Sequence, residues 1–338
     1  MSEHVVPIPI DRRRRITFPA LMYGLLLAGL GFTVYFLGVM LRFVGLVVDP
    51  HGQLLSVIRG MIWCSGMPVV AGLILILFDL FVLLPRKRTR VDVAWDPPAT
   101  LDLTVVLTAY NDELSIRPAV EDFVQHPRVK RVIVVDNNSK DRTAEVAREA
   151  GAVVVIELRP GYGHCVFRAL SEGAGCHDTE LTLLCEGDMT FRAYDIDKFL
   201  AYVPHADIVN GTRIVEQLRA RRTQLTTFMY YGNFFAGKLL EAKHIGQGTL
   251  TDVGTTYKLC RNSALARLLP LLNPDINLEF NAYFLDTVLE YGFAIVECPV
   301  TFHDRVGVSK GGNVSNLRAL KVGTRMILAI IFGWRRRR

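Results

Sequence analysis

The sequence predicts a membrane-attached α/β protein, in which two apolar helices precede a domain built on a mostly parallel sheet. Three observations predict it. Two long stretches near the start are almost free of charge. From residue 103 onward, short β-rich runs alternate with helical patterns. Three of those runs end on polar or acidic residues, which a parallel sheet would bring to one edge.

The first apolar stretch, 16–41, has 26 residues without a charge, and the second, 60–84, has 25 whose single charge is Asp79. Each exceeds the roughly 20 apolar residues a helix needs to cross a bilayer core. The first is longer than the apolar segment of a cleavable signal, and a second stretch follows it directly. Two buried core helices would give the same pattern in a soluble protein. Arg12–Arg15 precede the hairpin and Arg86, Lys87, Arg88 and Arg90 follow it, while only Arg42 and Arg59 lie between the stretches, at their edges. The excess of basic residues outside the hairpin predicts a multi-pass protein with both termini and the later domain in the cytoplasm. Asp79 is expected to snorkel to the interface or to pair with Arg86; handling of a lipid phosphate is the functional alternative.

Half of the 338 residues are hydrophobic, and the mean hydropathy of +0.26 is high for a purely soluble enzyme. The net charge of +6 invites a nucleic-acid reading, but its distribution argues against one. Removing the twelve basic residues at 12–15, 86–90 and 335–338 turns +6 into −6. The basicity therefore sits at membrane edges, where anionic lipid attracts it, and no nucleic-acid partner is expected. Six cysteines show no C-x-x-C spacing, so they are read as reduced packing residues rather than as a zinc site or a disulfide framework.

Residues 1–90 form the predicted hairpin and 91–100, within a polar stretch holding three prolines, the linker to a domain over 101–312. In that domain LTVVLTAY (103–110) reads as a buried strand and the segment after it as a helix with acidic residues in its first turn. RVIVVD (131–136) is a second strand, followed by a helix ending at Gly151. AVVVIEL (152–158) is a third, and a glycine turn leads from it into VFRALSEGAG. ELTLLCEGD (180–188) is a fourth strand. The last segment, 313–338, has too short an apolar run to span and reads as an interfacial helix with a basic anchor.

In a parallel sheet, ligands bind beyond the carboxyl ends of the strands. Tyr110 and Asn111, Asp136, and Glu186 with Asp188 would all open there. A helix cap is the plain alternative for Asp136. Glu186 and Asp188 offer hard carboxylate oxygens of the kind that hold Mg²⁺ or Mn²⁺ against a substrate phosphate. The stretch DRVGVSKGG (304–312) combines Arg305, Ser309 and Lys310 with three glycines, so backbone N–H groups and two cations can converge on an anion; a flexible surface loop is the plain alternative. Arg219, Arg221 and Arg222 suit either lipid headgroups or a solvated face. There is no P-loop, no full dinucleotide fingerprint, no G-x-S-x-G and no H-E-x-x-H.

TAYNDE (108–113), VVDNNSKDRTAEVA (134–147), GYGHCVFRAL (161–170), CEGDMTF (185–191) and NGTR (210–213) resemble, in order, the motifs of family-2 glycosyltransferases with the Rossmann-like GT-A fold. TDVGTTYKLCRNSAL (251–265) and ECPVTFHDRVGVSKGG (297–312) resemble the dolichyl- and polyprenyl-phosphate mannose or glucose synthases among them. The resemblance implies that Thr108, Tyr110 and Asp112 or Glu113 frame the nucleotide and that Asp136 accepts a hydrogen bond from its base or ribose. Arg168 would approach the diphosphate, Asp188 with Glu186 would hold the metal bridging it, and Arg213 would lie near the same charge. Arg305, Ser309 and Lys310 would bind an acceptor phosphate. Two departures stand out: the usual Asp-Asp-Gly-Ser turn is Asp136-Asn137-Asn138-Ser139, and the usual Asp-x-Asp begins with Glu186.

The expectation is an inverting, metal-dependent transferase moving a hexose from a UDP- or GDP-sugar to polyprenyl phosphate. Its rivals are transfer to a hydroxyl of a lipid-linked glycan or polysaccharide, and a catalytically dead scaffold. A hydroxyl acceptor benefits from a general base, and near the expected place only Glu279, in NLEFNAYFLD (277–286), offers an early carboxylate. The sequence allows a homo-oligomer without fixing its number.

Overall fold

A computed structural model describes residues 18–48, 53–87, 93–221, 223–307 and 316–335. They fall into two compact units. One holds the hairpin, 18–87, with Glu241–Gln247; the other holds the described residues from 93 to 240 and from Gly248 onward.

In the hairpin unit, α1 (Ala20–Val48) runs against a second rod made of α2 (Gln53–Cys64), α3 (Gly66–Phe78), a π-helical turn (Asp79–Leu83) and α4 (Leu84–Lys87). Both rods are long and apolar enough to cross a membrane, and they outreach the predicted spans. Four glycines at a spacing of seven, Gly24, Gly31, Gly38 and Gly45, form the seam of α1. A Cβ on Gly24 would stand 2.7 Å from the Gly72 carbonyl oxygen, and one on Gly31 2.8 Å from that of Ser65. Small residues let backbones approach where lipid provides no hydrophobic drive for association. Outside the seam, Phe32, Phe36, Met40, Trp63, Met67 and Phe81 are exposed, as lipid-facing residues would be. Asp79 is fully buried and pairs with Lys87, not Arg86: Lys87 Nζ lies 2.6 and 2.9 Å from its two oxygens, and the Leu21 backbone N–H donates to Oδ2 at 2.6 Å.

The second unit begins with the predicted rhythm: β1 (Leu103–Ala109), α5 (Glu113–Val124), β2 (Val129–Asp136), α6 (Thr143–Glu149), β3 (Val153–Ile156), α7 (Tyr162–Ala174) and β4 (Leu181–Glu186). It continues through α8 (Ile196–Tyr202), β5 (Ile208–Thr212), α9 (Thr227–Lys243), β6 (Lys258–Arg261), α10 (Asn262–Leu268), α11 (Phe280–Glu290), β7 (Ile295–Pro299) and α12 (Asn316–Phe332). The sheet order is β3-β2-β1-β4-β6-β5-β7; β6 is antiparallel to both neighbours and the other pairs are parallel. Every residue of β1 is buried. That is why it reads as an unbroken apolar run, with helices covering both faces.

The chain moves outward from β1 to β2 and β3, then returns to β4 on the other side of β1. Such a reversal opens a crevice beyond the strand ends. Register places Thr108 beside Glu186 and Ala109 beside Asp136, so three strand ends finish level. Asn111, Asn138 and Met189, each just past one of those strands, have left-handed backbones. Asn138 occupies the glycine position of the usual turn, and asparagine is among the few residues that tolerate this conformation. The first departure from the family motif thus preserves the turn's shape.

The C-terminal helix corrects the expected boundary at 313, because α12 belongs to the same compact unit as the sheet. The Trp334 indole N–H donates to Asp286 Oδ2 at 2.6 Å, its ring lies 5.4 Å from that of Tyr283, and Asn273 donates to the Arg335 carbonyl oxygen.

Candidate active site

A cavity of about 750 Å³ opens at the level strand ends. Its polar lining includes Thr108 at the end of β1 with Tyr110 and Asp112 just past it, Glu186 at the end of β4 with Asp188 past it, Arg213 after β5, and Arg305 after β7. Arg305 is the hub. Its Nη1 donates to Asp188 Oδ2 at 2.8 Å and its Nη2 to Asp112 Oδ1 at 3.0 Å, while its Nε has no hydrogen-bond partner among the described residues. Asp112 Oδ2 also accepts from the Tyr110 N–H, and Asp188 Oδ1 from the N–H and hydroxyl of Thr190. Residues 193 positions apart are thereby joined by one guanidinium fork, the geometry that matches arginine to carboxylates.

Glu186 has a different shell. It accepts from the Thr256 hydroxyl at 2.8 Å, Thr256 contacts the Tyr162 hydroxyl, and Asn281 donates to both. Burial, and then the charge of Asp188, push its carboxyl up to about 7. Two adjacent carboxylates with Arg305 as their shared cation make a poor seat for a diphosphate anion by itself. A divalent cation fits this donor set. No cage of three or more metal-ligating side chains occurs among the described residues, so substrate oxygens and water would complete the coordination, as suits Mg²⁺ or Mn²⁺.

Several residues implied by resemblance are placed elsewhere. Asp136 is buried and spends its carboxylate on the N–H and hydroxyl of Ser139, outside the cavity lining; it closes the turn after β2 and caps no helix, since α6 begins at Thr143. Arg168 lies off the buried face of α7 and pairs with Glu172 at 2.6 Å, one helical turn away, so it too is outside the lining. Glu113 accepts from the Arg142 N–H at 3.1 Å instead of facing the cavity. Arg213 does line it, but its Nε and Nη2 donate to Asp252, at 2.6 and 2.8 Å. Ser309, Lys310 and Arg222 lie outside the described residues.

The sequence reading missed Asn137, Tyr162, Thr256, Asn277 and Asn281. Asn137 receives the Gly161 N–H, and Asn277 the Tyr162 N–H at 2.7 Å, so both fix the glycine turn from either side. Gly161 has φ +125°, and a Cβ on Gly163 would stand 1.8 Å from the Ile276 carbonyl oxygen. The glycine turn was a visible signal; its partners, Asn137 24 positions before Gly161 and Asn277 115 positions after Tyr162, carried none.

The α9 segment and α12 add mostly apolar side chains to the lining, with Gln224, Asn233, Arg318 and Thr324 among them. Leu225, Phe228, Met229 and Phe235 from the α9 segment form one wall, and Ala319, Val322, Met326 and Ile327 of α12 another. Glu279 also lines the cavity, and Arg325 lies 3.0 Å from its carboxylate.

A crevice at the switch point of a mostly parallel sheet, with paired acids at a strand end, is the arrangement of the GT-A fold. Residues 104–269 match the family model of Glycosyl transferase family 2, and the chain belongs to this family. It is similar to an uncharacterized glycosyltransferase of Mycobacterium tuberculosis, 41% identical over 112 residues that cover 33% of this chain and 48% of that one, so the chain spans about half the length of that relative. Protein RfbJ of Shigella flexneri is 30% identical over 116 residues, 34% of this chain and 87% of that one. The dolichyl-phosphate hexose transferase of Haloferax volcanii is 27% identical over 214 residues, 62% of this chain and 86% of that one. Among solved structures, glucosyl-3-phosphoglycerate synthase from Mycobacterium tuberculosis, in complex with Mn²⁺, UDP-glucose and glycerol 3-phosphate, aligns with a TM-score of 0.50 at 18% identity over 70% of this chain and 87% of that one; it shares the fold.

Proposed function

We propose that this chain is a membrane-bound inverting glycosyltransferase that moves a hexose from a nucleoside-diphosphate sugar to polyprenyl phosphate. The observation that carries the reading is that one cavity is lined both by Asp112, Glu186, Asp188 and Arg305 and by apolar side chains of the α9 segment and α12. Such a space matches an amphiphile with an anionic head and a hydrocarbon tail. The Haloferax relative, named for a dolichyl-phosphate acceptor, supports it.

The chemistry asks little of the protein beyond placement. A phosphate acceptor is already ionised at neutral pH and needs no general base. Its oxygen attacks the anomeric carbon from the face opposite the leaving diphosphate, the C–O bond to the diphosphate breaks, and the centre inverts. Arg305 is the group to hold the acceptor phosphate beside the donor, since a cation shared between two acids can exchange one of them for a phosphate oxygen. Glu186 and Asp188 would hold a divalent cation, which when bound offsets charge on the departing diphosphate. A hydroxyl acceptor would need a free base, and Glu279, the carboxylate at hand, is engaged by Arg325.

The test incubates the full chain and Mg²⁺ with polyprenyl phosphate and radiolabelled UDP- and GDP-sugars. Label is expected in the organic phase as a mild-acid-labile lipid, and Asp188→Ala is expected to reduce it by about 10²-fold or more. Donor hydrolysis without lipid product would instead assign a hydroxyl acceptor.

A further inference from the structure

Two glycines interrupt the faces of α9 and α12 that wall this cavity as a mostly apolar trough. On α9 the apolar cavity-lining positions are Phe228, Met229 and Phe235, with Gly232 and Asn233 between them; on α12 they are Ala319, Leu320, Val322, Met326 and Ile327, with Gly323 and Thr324 between them and Arg318 at the start. Each glycine sits in the middle of its series, within a 17-residue helix. A glycine in a helix interior destabilises it relative to alanine, so the position asks for a reason. Close packing supplies none. A Cβ at Gly232 or Gly323 would meet no atom within 4 Å, in contrast to Gly237 on the same α9, where it would stand 2.9 Å from the Leu250 carbonyl oxygen. Neither backbone needs glycine's left-handed freedom, since both residues are helical. What the two share is that the missing side chain leaves room inside the cavity.

We propose that Gly232 and Gly323 set the bore of the trough and so determine which acceptor chain the protein accepts. The occupant is an isoprenoid chain, branched at regular intervals and wider than a straight acyl tail, whose phosphate lies at the Arg305 end. The inference rests on the polyprenyl-phosphate reading above and adds to it the residues that gauge the lipid. Phe228, Met229, Val322 and Met326 supply the apolar contact, and the two glycines supply the clearance.

The experiment compares the full chain with Gly232→Leu, Gly323→Leu and the two alanine variants, using undecaprenyl phosphate and geranyl phosphate as acceptors. Leucine at either position is expected to raise KM for undecaprenyl phosphate by about tenfold or more. The donor KM should stay unchanged, and the rise should be smaller for geranyl phosphate, which fills less of the trough. The alanine variants should raise the undecaprenyl phosphate KM less than the leucine variants do, in keeping with the smaller volume added, and melt at a slightly higher temperature. A folded leucine variant with wild-type KM for the long acceptor overturns the proposal. So does an equal rise for both acceptors or for the donor. If the leucine variants do not fold, Gly323→Cys is alkylated after folding with reagents of increasing size, against wild type treated identically. Loss of long-chain transfer should then grow with the reagent, and a size-independent response overturns the gauge. Wild type that binds donor yet transfers to neither acceptor refutes the polyprenyl-phosphate reading itself, whereas failure confined to the variants refutes only the role of the glycines.

Discussion

At the scale of single residues, Lys258 shows what the site's surroundings cost. It is almost fully buried in β6, donates to the Thr255 carbonyl oxygen and lies over the Phe284 ring. Burial lowers its pKa from 10.5 to about 7. A lysine with a lowered folded-state value contributes stability that is complete above about pH 10.5 and is lost as pH falls towards 7. Lys258→Met is therefore expected to stabilise the protein by about 2 kcal/mol near neutral pH, less whatever the unpaired Thr255 carbonyl costs, and to flatten the rise in stability between about pH 7 and 10. Thermal melts of both proteins across that range decide it; a destabilised variant with an unchanged slope would mean that the ammonium is balanced by charges not evident in its contacts. The residue scale is also where motif reading was least secure. Asp136 and Arg168 were assigned by resemblance, yet an adjacent Ser139 and an i+4 Glu172 absorb them locally. Asp188 and Arg305 were assigned the same way and do meet, across 117 positions. A motif marks which residue types recur, but only the local partners decide which of them face the cavity.

At the scale of elements, the hairpin is joined along its length by glycines and at one end by a charge. Asp79 and Lys87 are both inaccessible, and the second oxygen of Asp79 also takes up the Leu21 N–H, an orphan donor of the first turn of α1. Removing one partner of a buried pair leaves the other charge uncompensated, typically at about 3–5 kcal/mol. Asp79→Asn is expected to lower the melting temperature of the detergent-solubilised protein while donor affinity stays unchanged, and Lys87→Met in the same chain should recover part of the loss. An unchanged melting temperature with a raised acceptor KM would instead restore the lipid-phosphate role for Asp79. The two apolar helices were legible because length and apolarity of the kind a bilayer demands are written in the sequence directly. The α/β strands were legible for the related reason that a sheet covered on both faces must be apolar throughout. The role of α12 was not. Its apolar positions suit a membrane surface or a protein wall equally, and only the Trp334–Asp286 and Arg325–Glu279 contacts set it beside the cavity.

At the scale of the whole molecule, fold class was readable from alternating runs and family from co-linear motifs. Acceptor chemistry was not, because the trough is assembled from side chains on α9, α11 and α12 that no local pattern links. What the sequence does specify globally is charge placement, and that bears on function through topology. A nucleotide sugar, the donor in the proposed reaction, is a multiply charged molecule that does not cross hydrocarbon unaided, so that reading requires the carboxylates of Glu186 and Asp188 to face the compartment that holds it. The basic clusters flanking the hairpin predict that this is the cytoplasm. In a Cys64→Ser background, which removes the one exposed cysteine, His51→Cys is expected to react with a membrane-impermeant thiol reagent added to intact cells. Ser2→Cys should react only after the cells are opened. The reverse pattern would place the catalytic unit on the outer side, away from cytoplasmic nucleotide sugars. A transferase reading would then require a donor already exported, such as a lipid-linked sugar, and the paired acids would have to be explained without a diphosphate nucleotide.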